Sequence, residues 1–411
     1  MKILVLNAGS GSQKIALFDL PEDAAAPHLL DPVWKAQFST TDPDQPSGEI
    51  RLRVQRHGRS HPIDTIDEST SVEERTRRLI SLLWEGEEAP LCGPSELAAV
   101  GHRVVHGGDR YGEAAEVDAA VEETIERFGE IAPLHNPSGL AGIRVARDLC
   151  GEAARHFAVF DTAFHRTLPT VATVYPGPRA WLESGIRRFG FHGTSYRWAS
   201  GLVAKLMDRE DDPELRLILC HLGGGCSLCA TRGGRSIDTT MGFTPLDGIA
   251  MSTRSGALDP GLLVHLLRRG EPLDDLEHTL NRNSGLAGLS GAAGDTRVVR
   301  AKAESGDADA REALDVFVHR LRGGLGQMFA SLGEPPDALA FTDAIGETEP
   351  EIRSAACGTF ASLGLRLDEE KNASSPADTD IAKDDSAIRV FIVEGREEWQ
   401  IARECHAKLV S

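Results

Sequence analysis

Two strand–glycine–strand hairpins, one near the start of each half of the chain, constrain the fold more than any other feature. The first reads KILVLN, AGSGSQ, KIALFDL, and the second LRLILCHL, GGG, CSLCATRGGRSIDTT. In both, apolar and β-branched residues predict strands and the glycines predict tight turns. No helix follows the glycines directly, which excludes the strand–loop–helix of dinucleotide-binding and P-loop proteins. A chain that opens both halves the same way predicts an internally duplicated α/β fold.

At 411 residues the chain exceeds what one core usually organises, which predicts two domains with a cleft between them. A formal net charge of −19 with no basic run argues against nucleic acid as a partner. An anionic small substrate must therefore meet a local positive pocket. The opening MKILVLNAGS has one lysine and a short apolar run broken by Asn7 and Gly9, the pattern of neither a signal peptide nor a membrane span, so a cytoplasmic location is expected. Seven scattered cysteines suit a reducing compartment. The lone CxxC of Cys226 and Cys229 has no second pair and reads as core packing. Helical spacing of apolar residues predicts helices over VEERTRRLISLLWEGEE, PLDDLEHTLNRNSGL and 310–333, and the segments 40–50, 208–214 and 373–386 read as surface loops. PDALAFTDAIGETEPEIRSAACGTF reads as a strand, a glycine turn and a helix whose start lies beside a phosphate.

Residues 221–261, HLGGGCSLCATRGGRSIDTTMGFTPLDGIAMSTRSGALDPG, set glycine turns among a histidine, aspartates and arginines. Glycine lets backbone N–H groups approach an anion, and Arg and His supply charge where a transferring phosphoryl group develops it. Elsewhere, Arg103 and His106 follow a buried-looking strand in GHRVVHGGDRYG, where an arginine alone reads as a structural ion pair. His135 and Asn136 stand between two prolines in APLHNPSGL, in a rigid turn rather than a helix. Asp161 follows an apolar strand in AVFDTAFHRTLP, in reach of a cleft or a hydrated metal. His192 lies near a strand end in FGFHGTSY, and Arg254 lies in MSTRSGALDP. Their joint occurrence favours phosphoryl transfer to a small carboxylate over separate structural roles.

The ordered motifs LVLNAGSGSQK, GHRVVHGGD, APLHNPSGL, FDTAFHRTLP, RRFGFHGTS, CHLGGGCS, DTTMGFTPLDG, TRSGALDP, FTDAIGE and EEWQIA span essentially the full length. In them the chain resembles the acetate kinases, of the sugar kinase, heat-shock ATPase and actin superfamily. The resemblance implies an α/β, two-domain clamshell with a duplicated ribonuclease H-like, actin-like ATPase core. Residues 1–160 with 398–411 would form the N-terminal domain, and 161–397 the C-terminal domain with most of the nucleotide site. The final helix, around Glu398 to Leu409, is expected to return to the first domain. Reversible phosphoryl transfer between ATP and acetate, giving acetyl phosphate and ADP, is the implied activity. Mg²⁺, with Mn²⁺ as a substitute, and a homodimer are implied with it.

The resemblance also assigns roles by matching position. Arg103 and Arg254 are similar to the pair that binds the acyl carboxylate and the transferring phosphoryl group, where planar guanidinium forks can grip oxygens in pairs. His192 matches the histidine that hydrogen-bonds the phosphoryl group, and Asp161 the central catalytic carboxylate. Asn7 and Glu397 match metal-side residues. Ser10, Ser12 and Lys14 line the corresponding phosphate loop, His221 matches a further phosphate-side histidine with Gly223 and Gly225 beside it, and His135 fits the same pocket. Val105, Leu134, Phe191 and Pro245 match the apolar wall around the substrate methyl group. Asp295, Arg297 and Gly346 fall where the family approaches the nucleotide. Acetate is already ionised near neutral pH, so positioning and positive charge, rather than a strong base, are the expected needs.

Four motifs depart from the family pattern. HLGGG has Gly224 where HLGNG is usual, and DAIGET places Asp343 and Ala344 where GGIGEN has glycines. EGREE replaces PTNEE before the final helix, and FHGTSY ends in Tyr196 rather than histidine. The first two lie on the donor side, where an added carboxylate repels polyphosphate. A pyrophosphate- or phosphate-linked enzyme, a propionate or other short-chain carboxylate kinase, and a non-catalytic acyl-phosphate sensor are the alternative expectations.

Overall fold

The computed structural model describes residues 1–411 apart from 9–11, 24–28, 40–48, 57–58, 68, 87–88 and 152. The chain divides into two compact units, Met1–Phe164 with Arg396–Ser411, and His165–Gly395. The boundaries lie at 164/165 and 395/396, where the sequence suggests 160/161 and 397/398. Asp161 belongs with the first unit because its backbone N–H donates to the Val104 carbonyl at 2.9 Å, and Glu397 because the final helix starts there.

The first unit holds one sheet of β1 (Lys2–Ala8), β2 (Ser12–Asp19), β3 (Trp34–Ser39), β4 (Glu49–Arg56), β5 (Arg59–Asp67), β6 (Leu97–Val104), β7 (Ala115–Glu116) and β8 (Arg155–Phe160). Their order is β5-β4-β3-β2-β1-β6-β8-β7. β1 to β5 pair antiparallel in sequence, β6 and β8 run parallel to β1, and β7 closes the edge antiparallel to β8. The second unit holds β9 (Arg216–Leu222), β10 (Cys226–Arg232), β11 (Arg235–Thr239), β12 (Ala338–Thr342), β13 (Thr379–Asp380) and β14 (Arg389–Val393), in the order β11-β10-β9-β12-β14-β13. With β4 and β5 set aside, the two sheets share one plan. Three antiparallel strands lead into two that run parallel to the first, and a short antiparallel strand caps the far edge. The two hairpins read from the sequence are the start of each sheet.

Strand chemistry follows position. Central β1 and β9 are buried on both faces, which is why KILVLN and LRLILCHL are almost continuous apolar runs. β4 alternates instead: Ile50, Leu52 and Val54 face the core while Glu49 and Gln55 face out. The final helix, Glu397–Val410, packs on β1 and β6, with the Trp399 ring 5.7 Å from that of Phe18. Gly101 makes that approach feasible, since a Cβ there would lie 2.7 Å from both Cys405 Sγ and Ile401 Cγ2.

Helices form at Val72–Ser81, Leu273–Arg282 and Ala308–Leu332, within or across the stretches expected. Ser71 and Asp307 cap two of them by accepting a backbone N–H from Glu74 and Ala310. Two local expectations are corrected. His135 and Asn136 do not sit in a rigid turn: His135 caps, and Asn136 starts, the helix Asn136–Cys150, because Pro137 lies in the first turn, where no intrahelical N–H is needed. No glycine turn follows β12 either. The helix Asp343–Thr348 starts directly at the strand end, and Gly346 lies buried inside it. Within 373–386, β13 interrupts the expected loop. Cys226 and Cys229 are buried and unbonded to one another, with burial pushing the Cys226 thiol up to about 12.

Three buried histidines link the fold to pH. His102 Nε2 lies 3.0 Å from His156 Nδ1, and His165 bonds Ser236 Oγ and the Phe191 carbonyl, each at 2.9 Å. Burial holds His102 well below its ordinary pKa and lowers His156 and His165 to about 4. The unfolded chain therefore takes up these protons first as pH falls, so stability is complete above about pH 6.5 and is lost toward pH 4. Thermal melts between pH 8 and pH 4 should show Tm falling through that window, and less steeply in His165→Gln.

Candidate active site

In the first unit the chemistry collects at the carboxyl ends of the parallel strands. Asn7 lies near the end of β1, Arg103 near the end of β6, and Asp161 directly after β8. Arg103 grips the buried Asp161 carboxylate through Nε at 3.1 and 3.2 Å and Nη2 at 2.7 Å. Its Nη1 donates to Asn7 Oδ1 at 3.0 Å and lies 3.2 Å from Glu397 Oε2. Burial disfavours the guanidinium charge, but Asp161 and Glu397 outweigh it and raise the Arg103 pKa. Asn7 Nδ2 in turn donates to Glu397 Oε2 at 3.1 Å and Glu398 Oε1 at 2.9 Å.

A hard cation fits this donor set. Glu397 Oε1 is buried without a hydrogen-bond partner, and the neighbouring groups are carboxylate and amide oxygens. Among the described residues no three His, Cys, Asp or Glu side chains are spaced as a closed metal cage. Lys14 stands opposite Asn7 across the β1–β2 pair and is exposed. Ser10 and the Ser12 side chain lie outside the described residues. Val105 is buried after β6, whereas Leu134 is 42% exposed. His135 is half-buried at its helix cap.

The second unit carries the other cluster. His192 adopts a left-handed φ of 59° before the helix Gly193–Leu206, and its ring stacks on His221 with centroids 4.0 Å apart. Each histidine is anchored through Nδ1 to a serine: His192 to Ser227 Oγ at 2.8 Å, and His221 to Ser195 Oγ at 2.9 Å. Tyr196 Oη meets the same Ser227 Oγ at 2.5 Å. Burial keeps that phenol neutral by raising its pKa. Tyr196 Oη, Ser227 Oγ and His192 Nδ1 thus form one hydrogen-bonded chain that orients the imidazole and leaves its Nε2 edge outside the chain. Gly225 faces that atom: a Cβ on it would lie 3.1 Å from His192 Nε2 and 3.4 Å from Arg254 Nη1. The bare glycine therefore leaves open space beside a histidine edge and a buried guanidinium. Arg254 is oriented by the Pro245 carbonyl at 3.3 Å, and Phe191 is buried beside His192 in sequence.

The nucleotide-side residues divide. Gly223 takes a hydrogen bond on its carbonyl from Ser252 Oγ at 3.3 Å, and its Cα faces Asp343. Gly224 opens onto space. Asp295 caps the helix Thr296–Glu304 and holds Arg297 through Nε at 3.0 Å and Nη2 at 2.6 Å, so these two pair with each other. The Arg297 hydrogen bond lowers the Asp295 pKa. Gly346 is a packed helix residue, 3.3 Å by its Cβ direction from the Phe341 carbonyl carbon.

A sequence model of the acetokinase family matches residues 2–403. The chain belongs to the acetokinase family. It is 46% identical over 406 residues to a protein of Gloeobacter violaceus named acetate kinase, covering 98% of each chain. A Nostoc sp. acetate kinase is 44% identical over 409 residues, again covering 98% of each. Among solved structures it is similar to a propionate kinase from Francisella tularensis, with a TM-score of 0.85 and 33% identity, and to the Porphyromonas gingivalis acetate kinase, at 0.84 and 30%, each covering 98% of both chains. The duplicated α/β plan is thus that of the acetokinase members of the actin-like ATPase fold.

Residue reading misses Glu398, Ser195 and Ser227. Ser227 could have been found from the β9–β10 register, which sets it opposite His221. Ser195 is signalled only by its place three residues after His192. Two substitutions test the site. Gly225→Ala should lower turnover about 100-fold by filling that space, with Tm unchanged. Tyr196→Phe should lower kcat more than KM, and ¹⁵N shifts of His192 should show a changed tautomer balance once the chain through Ser227 is broken.

Proposed function

We propose that this acetokinase family member is an acetate kinase that moves the γ-phosphoryl group of ATP to acetate, reversibly, giving acetyl phosphate and ADP. The observation that carries the reading is the open space at Gly225 beside His192 Nε2 and Arg254 Nη1. A phosphoryl oxygen held over the bare Gly225 backbone faces an imidazole and a guanidinium, groups that offset charge in an in-line transfer. Acetate is its own nucleophile, so no residue has to remove a proton. Arg103 is held by Asp161 in a planar, paired grip and by Asn7 and Glu397 through Nη1, which fixes the position of its charge for a carboxylate or phosphoryl group. In this reading Asp161 positions Arg103, and Val105, Leu134, Phe191 and Pro245 supply apolar surface to the methyl group.

Glu397, with Glu398 and Asn7, would hold Mg²⁺, which when bound neutralises phosphate charge and fixes the donor. Asp295 and Arg297 serve the nucleoside, and His221, Gly223, Ser10, Ser12 and Lys14 the phosphates. We further propose a cytoplasmic homodimer. Among the described residues no helix is long and apolar enough to cross a membrane. The helix Pro260–Arg268 has no buried residue and exposes Leu262, Val264 and Leu267, apolar surface that a second copy would cover.

A coupled assay with acetate, Mg²⁺ and ATP should yield acetyl phosphate. Propionate should serve less well or better by a modest factor, since one methylene in an apolar pocket is worth about 1–3 kcal/mol. Arg254→Ala should lose on the order of 10² to 10³ in kcat/KM while retaining the wild-type melt. A folded Arg254→Ala protein with near-normal turnover would refute the assignment.

A further inference from the structure

We propose that Asp343 is a built-in competitor of the phosphoryl donor: its carboxylate takes an anion's place beside His221 and Gly223 and so sets how tightly a polyphosphate binds. This rests on the phosphoryl-transfer reading above. Asp343 Oδ2 lies 3.1 Å from His221 Nε2, at the other ring nitrogen from the one its Ser195 anchor holds. A Cβ on Gly223 would lie 2.0 Å from the same oxygen and 2.7 Å from Cγ. The carboxylate thus fills the very space that the glycine loop leaves open.

The placement is fixed by the sheet. β12 runs parallel to β9 with Thr342 registered against His221, and Asp343 is the next residue. Its φ is +65°, a left-handed conformation that glycine adopts freely and aspartate tolerates better than most side chains. Its other oxygen, Oδ1, accepts the Ala344 N–H at 2.8 Å. The backbone conformation and both carboxylate contacts therefore hold one orientation. With its side chain 43% exposed, the carboxylate has solvent into which to swing when a donor arrives.

A carboxylate on His221 acts on a donor in two ways. It occupies a hydrogen bond that a phosphate oxygen would accept, and it adds a negative charge close to a polyanion. Both penalties fall on the donor and neither on acetate. Removing the charge while keeping the shape should therefore strengthen donor binding selectively.

The test uses Asp343→Asn, which keeps volume and left-handed tolerance, and Asp343→Gly, which also relaxes the backbone. Pyrophosphate with fixed Mg²⁺ is titrated calorimetrically into the full chain and both variants, and KM values for ATP and acetate are measured alongside. The expected result is about tenfold tighter pyrophosphate binding in Asp343→Asn, at least as much in Asp343→Gly, a lower KM for ATP and an unchanged KM for acetate. The gain should shrink as salt is raised. Unchanged or weaker pyrophosphate binding in variants that melt like wild type, or no binding in any of the three, overturns the proposal. A wild-type protein that makes no acetyl phosphate would sink the catalytic reading, while the titration would still judge Asp343.

Discussion

Parallel register is the constraint on which the rest of this structure depends. Within each sheet three neighbouring strands pair in parallel, and that hydrogen-bond pairing aligns their carboxyl ends. The alignment sets Asn7, Arg103 and Asp161 side by side in one unit, and His221 and Asp343 side by side in the other. Backbone groups at those ends have run out of strand partners, so loops and side chains gather there. Residues far apart in sequence, 58 positions for Arg103 and Asp161 and 96 for Asn7 and Arg103, thereby become neighbours without any local motif demanding it.

The two clusters answer opposite electrostatic problems. In the first unit a buried guanidinium is surrounded by carboxylates, and its charge is retained because Asp161 and Glu397 outweigh the cost of burial. Removing one partner from such a group is strongly destabilising, since the remaining charge is left buried alone. In the second unit two stacked histidines and Arg254 face glycines rather than carboxylates, apart from Asp343. A chain with a net charge of −19 can attract phosphate only by keeping acidic side chains out of that patch. Asp343 breaks the pattern, and its left-handed backbone shows the conformation that a glycine would adopt freely.

Small residues do much of the positioning. Gly101 lets the final helix lie against β6, and that helix brings Glu397 to Arg103. Gly225 leaves room beside His192 and Arg254. Serines then fix the imidazoles: Ser227 and Ser195 each hold an Nδ1, so the reactive edge of each ring is chosen by its second neighbour.

Much of this was legible in the linear chain. The paired hairpins forecast the duplicated sheets because continuous apolar runs broken by glycine are a local property of central strands. Arg103, Asp161, His192, His221 and Arg254 were legible because each sits in a motif at a strand end or in a glycine-rich loop. What failed was equally local. The prolines around His135 read as a turn, although a proline in the first turn is compatible with a helix, and DAIGET read as a glycine turn although the strand passes directly into a helix. Sequence alone determined the fold class, the two opening hairpins and the residue types of the candidate site, since these follow from periodicity and backbone chemistry. Only the tertiary structure decided that Glu397 meets Arg103, that Ser227 orients His192 and that Asp343 lies on His221, because those contacts depend on strand register and helix docking, which no local pattern encodes.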